Sequence, residues 1–225
     1  MLKCARLPFR GPIMPLHARV LSTVRVVAPS SDRHLALPLA FLSCTALDGK
    51  APPRWNDWIR SFASRGYQSL LVEVDPVDLP AQGGSPSALL AFLESELVRL
   101  LRDPAHSSPF PPLLFAHGAT ALLAETYVSS HPLSGLCLVS PLPASSAQEK
   151  LPEVFKAPLA EFNYEPGFPI AVVQEKGKVG EAGEHRLLRE FAEEDNEDAL
   201  VRRIEGGLDE RMWKSVQEWM DENGL

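Results

Sequence analysis

Six histidines and three cysteines are the residues of this chain best suited to bind a metal or act as base or nucleophile. The histidines (His17, His34, His106, His117, His131, His185) form no H-x-x-x-H pair, and Cys4, Cys44 and Cys137 show no C-x-x-C spacing. Neither a zinc site nor a redox dithiol is therefore expected. An odd number of scattered cysteines fits a reducing compartment, with Cys44 and Cys137 as small apolar residues on strands. Cys44 as a nucleophile would need a base, and no histidine is placed by sequence to activate it. The acidic stretch Glu193 to Asp198 lacks the D-x-[DN]-x-[DN]-G spacing of a calcium loop and reads as a solvated loop. Asp75, at the end of an apolar run, is a catalytic acid or, more simply, a carboxylate that caps the loop before Pro76. No metal and no cofactor is expected.

The most informative spacing lies in residues 112–132, PLLFAHGATALLAETYVSSHP. They read as a short apolar strand, a sharp turn and a helix, and a second apolar strand, Leu136 to Val139, follows with Ser140 at its end. This pattern resembles the nucleophile elbow of the α/β-hydrolase family, in which G-x-S-x-G lifts a serine above the sheet. Laid on that motif, Ala116-His117-Gly118-Ala119-Thr120 puts Gly118 at the serine position. Glycine cannot attack a carbonyl, but it enters the strained elbow conformation at little steric cost. The plain alternative is a turn glycine in some other βαβ fold. The resemblance gives His117 a packing role beneath the elbow.

The same resemblance locates the two other members of a Ser-Asp-His triad. The acid should follow the strand after the lid, where this chain has Gln174-Glu-Lys-Gly-Lys-Val179, with Gly177 at its position. The histidine should follow the last strand, in Ile204-Glu-Gly-Gly-Leu208-Asp209, where Leu208 stands instead. Near the first strand, Ser43-Cys44-Thr45-Ala46 replaces the family's His-Gly. The resemblance thus implies a pseudoenzyme with no catalytic residue. Its crevice would be lined by Ser43, Cys44, His117, Gly118, Ala119 and Ser140, and widened by the missing side chain at 118.

The elements that would position these residues are legible as periodicity. Residues 34–43 form a nearly continuous apolar run, as in a strand buried on both faces. Trp55, Trp58, Ile59, Phe62 and Ala63 make one face of a helix ending at Gly66, and residues 68–75 form the next strand. Ser85 or Ser87 caps a helix that runs to about Arg102, with Leu90, Leu93, Leu97 and Leu100 on its buried side. Residues 141–169, rich in proline, leave room only for a rudimentary lid. A strand at 169–174, a helix at 184–193, a strand at 199–204 and an amphipathic helix at 211–223 complete the chain. Alternation of strands and helices predicts an α/β fold with a doubly wound, mostly parallel sheet flanked by helices.

At 225 residues, 45% hydrophobic and 23% charged, the chain suits a single globular domain with a tail, and no apolar run approaches 18 residues. Residues 1–28 contain Lys3, Arg6, Arg10, Arg19 and Arg25 and no acid, the composition of a mitochondrial transit peptide, although Pro8, Pro12 and Pro15 also suit a plain basic tail. The expected division is a disordered leader over 1–30 and one domain over 31–225. Setting those five cations apart from the net charge of −7 leaves about −12, which argues against nucleic-acid binding by the folded part. The reading is a mitochondrial matrix protein that binds a small molecule or a protein partner without turnover. Its rivals are an active hydrolase or acyltransferase using Ser140 or Ser43, and a scaffold subunit of a mitochondrial complex.

Overall fold

A computed structural model describes residues 21–49, 52, 54–75, 85–106, 108–174, 184–192, 199–207, 209 and 211–225. Seven strands form one sheet: β1 (Thr23–Val27), β2 (Leu39–Cys44), β3 (Ser69–Val74), β4 (Leu113–His117), β5 (Gly135–Val139), β6 (Ile170–Gln174) and β7 (Val201–Glu205). Their spatial order is β1-β3-β2-β4-β5-β6-β7, parallel throughout except for β1, which runs antiparallel to β3 at one edge. This is the mostly parallel sheet with flanking helices that the alternation of elements implies.

The helices are α1 (Thr45–Asp48), α2 (Trp55–Arg65), α3 (Pro86–Leu101), α4 (Ala121–Val128), α5 (Ala144–Lys150), α6 (Arg186–Phe191) and α7 (Met212–Glu222). Each central strand is buried on both sides, so successive residues feed two separate cores. In β2, Leu39 and Phe41 join α2 and α7 on one face, while Ala40, Leu42 and Cys44 join α3, α4 and α6 on the other. The first face is aromatic. Phe41 stacks on Phe115 with ring centroids 4.5 Å apart, Trp55 and Trp58 pack edge-on around them, and Phe62 lies tilted against both. Edge-to-face packing suits the ring quadrupoles and fixes α2 against the sheet.

Local chemistry sets the helix ends. Ser85 caps α3 by accepting the Ala88 N–H (3.2 Å), with Pro86 at the first helical position. Gly66 ends α2 in the left-handed region at φ 104°. No described helix is long and apolar enough to cross a membrane.

Two elements depart from the sequence reading. Residues 23–27, grouped by composition with the basic leader over 1–30, form the edge strand β1, so the folded domain begins ahead of residue 31. The TVRVV run has the β-branched character of a strand, and the Leu21 N–H to Asp75 carbonyl bond (2.9 Å) extends the attachment. The rudimentary lid contains a short helix, α5, between Pro143 and Pro152, and Phe155 behind it is fully buried.

Candidate functional site

The site begins where β4 meets α4. Leu113 to Ala116 are buried in the sheet, and the chain then turns through one 3-10 turn, Gly118–Thr120, into α4. Gly118 lies at φ 58°, in the left-handed region that a side chain disfavours. Its carbonyl accepts the Leu142 N–H (2.9 Å), which ties the turn to the segment after β5. A strand-to-helix turn with a positive φ at its central residue is the geometry of a nucleophile elbow.

The first N–H groups of a helical run have no partner within it and need an acceptor from elsewhere. Here the acceptor is Asp48, the last residue of α1. Its Oδ1 accepts the Ala119 N–H at 3.0 Å, and its Oδ2 accepts the Thr120 N–H at 2.6 Å. A β-carbon added at Gly118 would stand 2.9 Å from Asp48 Oδ1 and 3.3 Å from Cγ and Oδ2. The space expected to be open over Gly118 is therefore occupied by this carboxylate.

The start of α1 is secured as well. Thr45 Oγ1 donates to Asp75 Oδ1 at 2.6 Å, and the Asp75 N–H donates to Ser22 Oγ at 3.2 Å. Asp75 thus joins the ends of β2 and β3 to the segment before β1.

Among the described residues, the other sequence candidates form no hydrogen-bonded cluster with one another. His117 is half-buried with its ring perpendicular to Trp55 at 6.5 Å. Burial lowers its pKa from the ordinary histidine value, and the Asp48 charge opposes that shift. Cys44 is buried at the end of β2, and burial pushes its thiol up to about 12, which leaves it protonated and unreactive at neutral pH. Cys137, fully buried in β5, is raised for the same reason. Ser43 is buried, and its hydroxyl donates to the Val72 carbonyl at 3.4 Å. Ala119 is buried. Ser140 is half-buried just past β5, at φ 45°. Gly177 and Leu208 lie outside the described residues. The strands before them are described, and the pairing of His117 with Val139, Val139 with Val173 and Gln174 with Glu205 carries the ends of β4 to β7 along one sheet edge.

The sheet with its flanking helices recurs in solved structures. The chain superposes on an S-formylglutathione hydrolase from Agrobacterium tumefaciens with a TM-score of 0.56 at 13% identity, covering 91% of this chain and 95% of that one. For a thermophilic esterase, Est2 of the planctomycete Thermogutta terrifontis, bound to butyrate, the values are 0.54, 17%, 95% and 96%. For MGS-MChE2, an α/β hydrolase enzyme from the metagenome of sediments from the lagoon of Mar Chica, Morocco, they are 0.54, 12%, 91% and 97%. The fold is that of the α/β-hydrolases. No family model and no curated protein matches the sequence.

Within the α/β-hydrolase fold, the amide after the nucleophile position and one from the loop after the strand corresponding to β2 form the oxyanion hole. Asp48 stands on that loop, and its carboxylate takes the first of those amides. Sequence reasoning missed it. The only local signal was Asp48-Gly49 shortly after the position where His-Gly was expected, and nothing in the spacing ties residue 48 to residue 119.

A second pair was missed. Glu125 of α4 and His185, ahead of α6, are both about 4% exposed at the side chain, with Nε2 and Oε1 2.7 Å apart. His185 Nδ1 accepts the Leu187 N–H (3.3 Å), which puts a ring proton on Nε2, facing Glu125. The pair fastens α6 to α4, and both nitrogens are committed. Glu125 also borders a cavity of about 250 Å³ between α3, α4 and residues 159–163, with Leu90, Glu94, Leu122 and Phe162 among its walls. None of the six expected crevice residues lines it.

Proposed function

We propose that this protein is a non-catalytic member of the α/β-hydrolase fold class that acts in mitochondria by binding a ligand or a protein partner. The observation that carries this reading is the elbow itself. Its central residue is Gly118, at φ 58°, and the next two amides are held by a carboxylate of the same chain. Covalent acyl transfer needs a nucleophile with an activating base and free donors for the developing oxyanion. Gly118 offers no nucleophile, and Asp48 would repel a second negative charge at the amides. The sequence places Gly177 and Leu208 where an acid and a base would stand, which points the same way.

A second reading has one observation in its favour. Ser140 is the only non-glycine residue with positive φ among the described residues, and strained backbone tends to gather at reactive sites. A hydrolase or acyltransferase would then use Ser140 in place of residue 118.

One experiment separates the two. The purified protein, Gly118→Ser and the triple variant Gly118→Ser, Gly177→Asp, Leu208→His are assayed with a chromogenic short-chain ester and a serine-reactive fluorophosphonate. The expected result is no turnover and no adduct for the parent or the single variant, because a lone serine keeps an unactivated hydroxyl. Parent turnover that disappears in Ser140→Ala would establish the second reading and overturn the first.

A further inference from the structure

We propose that Asp48 is an intramolecular occupant of the oxyanion position, a latch that keeps acyl and carboxylate oxygens off the elbow amides. Two consecutive amides, Ala119 and Thr120, converge on the two oxygens of one carboxylate at 3.0 and 2.6 Å. Charge-assisted hydrogen bonds of this kind are about twice as strong as neutral ones. An arriving oxyanion would have to displace a group that already carries the charge and geometry the site prefers.

The latch is tethered. Asp48 closes a one-turn helix that follows β2 directly, and Thr45 at the start of that turn is held by Asp75. A group fixed in this way acts at an effective concentration of roughly millimolar or above, so dilute carboxylates in solution cannot compete. Asp48 is an exposed residue, so its carboxylate reaches the buried Ala119 and Thr120 from the solvent side. His117, immediately before the turn, feels the same carboxylate, so its environment reports whether the latch is seated.

The inference deepens the binding-protein reading yet fails separately from it, since ester turnover decides that reading and backbone amide resonances decide this one. Acetate is titrated into the parent and Asp48→Ala while the Ala119 and Thr120 amides are followed by nitrogen–proton correlation spectra. In the parent, these two resonances should not move. In Asp48→Ala they should start upfield of their parental positions and return downfield saturably as acetate binds, with an affinity at least about tenfold above that of the parent. Asp48→Asn covers the case in which the alanine variant does not fold. It keeps the shape but only one acceptor, so one of the two amides should lose its downfield position. Equal acetate response in parent and variant would overturn the latch. So would a folded Asp48→Ala whose two amides ignore acetate, or an Asp48→Asn spectrum identical to the parent's at both.

Discussion

At the scale of single residues, the elbow owes its state to Gly118, Asp48 and His117. His117 is placed between the Trp55 ring and Asp48, and burial outweighs the carboxylate, so its folded pKa lies below the ordinary 6.5. The consequence for stability has a definite sign. As pH falls through about 6.5, the unfolded chain takes up this proton before the folded one does, so stability drops until the folded pKa is reached and levels off below it. Urea unfolding between pH 8 and 5 should show this decline, and His117→Gln should remove its share. Superimposable pH profiles for the two proteins would exclude the effect. Gly118 was legible from the chain because a strand-turn-helix motif has a fixed spacing. Asp48 was not, since its role depends on two strands lying side by side, a fact of tertiary structure rather than of local pattern.

At the scale of elements, periodicity located every central strand and long helix, because burial on one face leaves a regular trace in sequence. The five apolar residues expected to face the core from α2 are those that do. Strand β1 escaped because Arg25 gave residues 23–27 the character of the basic stretch before them. Helix α5 escaped because prolines flank it closely. In α7, helical spacing alone would set Trp213 and Trp219 on one apolar face, and packing separates them. Trp219 is 3% exposed, whereas Trp213 sits at the rim, edge-on to Phe62 at 6.2 Å and beneath Arg65 at 5.7 Å. Trp219→Ala should therefore cost about 3–5 kcal/mol in urea unfolding. Trp213→Ala should cost roughly 1 kcal/mol, the scale of an exposed cation–π contact and one aromatic pair. Equal losses would mean that both rings bear on the core alike.

At the scale of the whole molecule, β1 sets the latest point at which the domain can begin. The alternation of elements made the sheet and its covering helices legible, but the boundary at residue 31 followed composition and so left the edge strand β1 outside the domain. Under the mitochondrial proposal, a fusion of residues 1–35 to a reporter should collect in mitochondria, and a diffuse cytosolic signal would refute it. Processing of the full chain should also leave β1 intact, with the new terminus ahead of Thr23 by mass spectrometry. Under the same proposal, removal of residues 1–20 should leave unfolding unchanged. Removal of 1–30 strips the antiparallel partner from β3 and exposes a strand edge, which should lower stability and promote aggregation.

The 2.9 Å between Asp48 Oδ1 and any β-carbon at position 118 also imposes an order on mutation. A serine arriving first at 118 meets both an unfavourable backbone angle and a carboxylate in its path, whereas a change at 48 can come first. A substitution at 48 leaves Gly118 undisturbed, whereas a side chain at 118 requires the Asp48 carboxylate to move aside. The stability of Gly118→Ser, measured with and without Asp48→Ala, would give the size of this coupling between a residue on the elbow and one that reaches it from another loop.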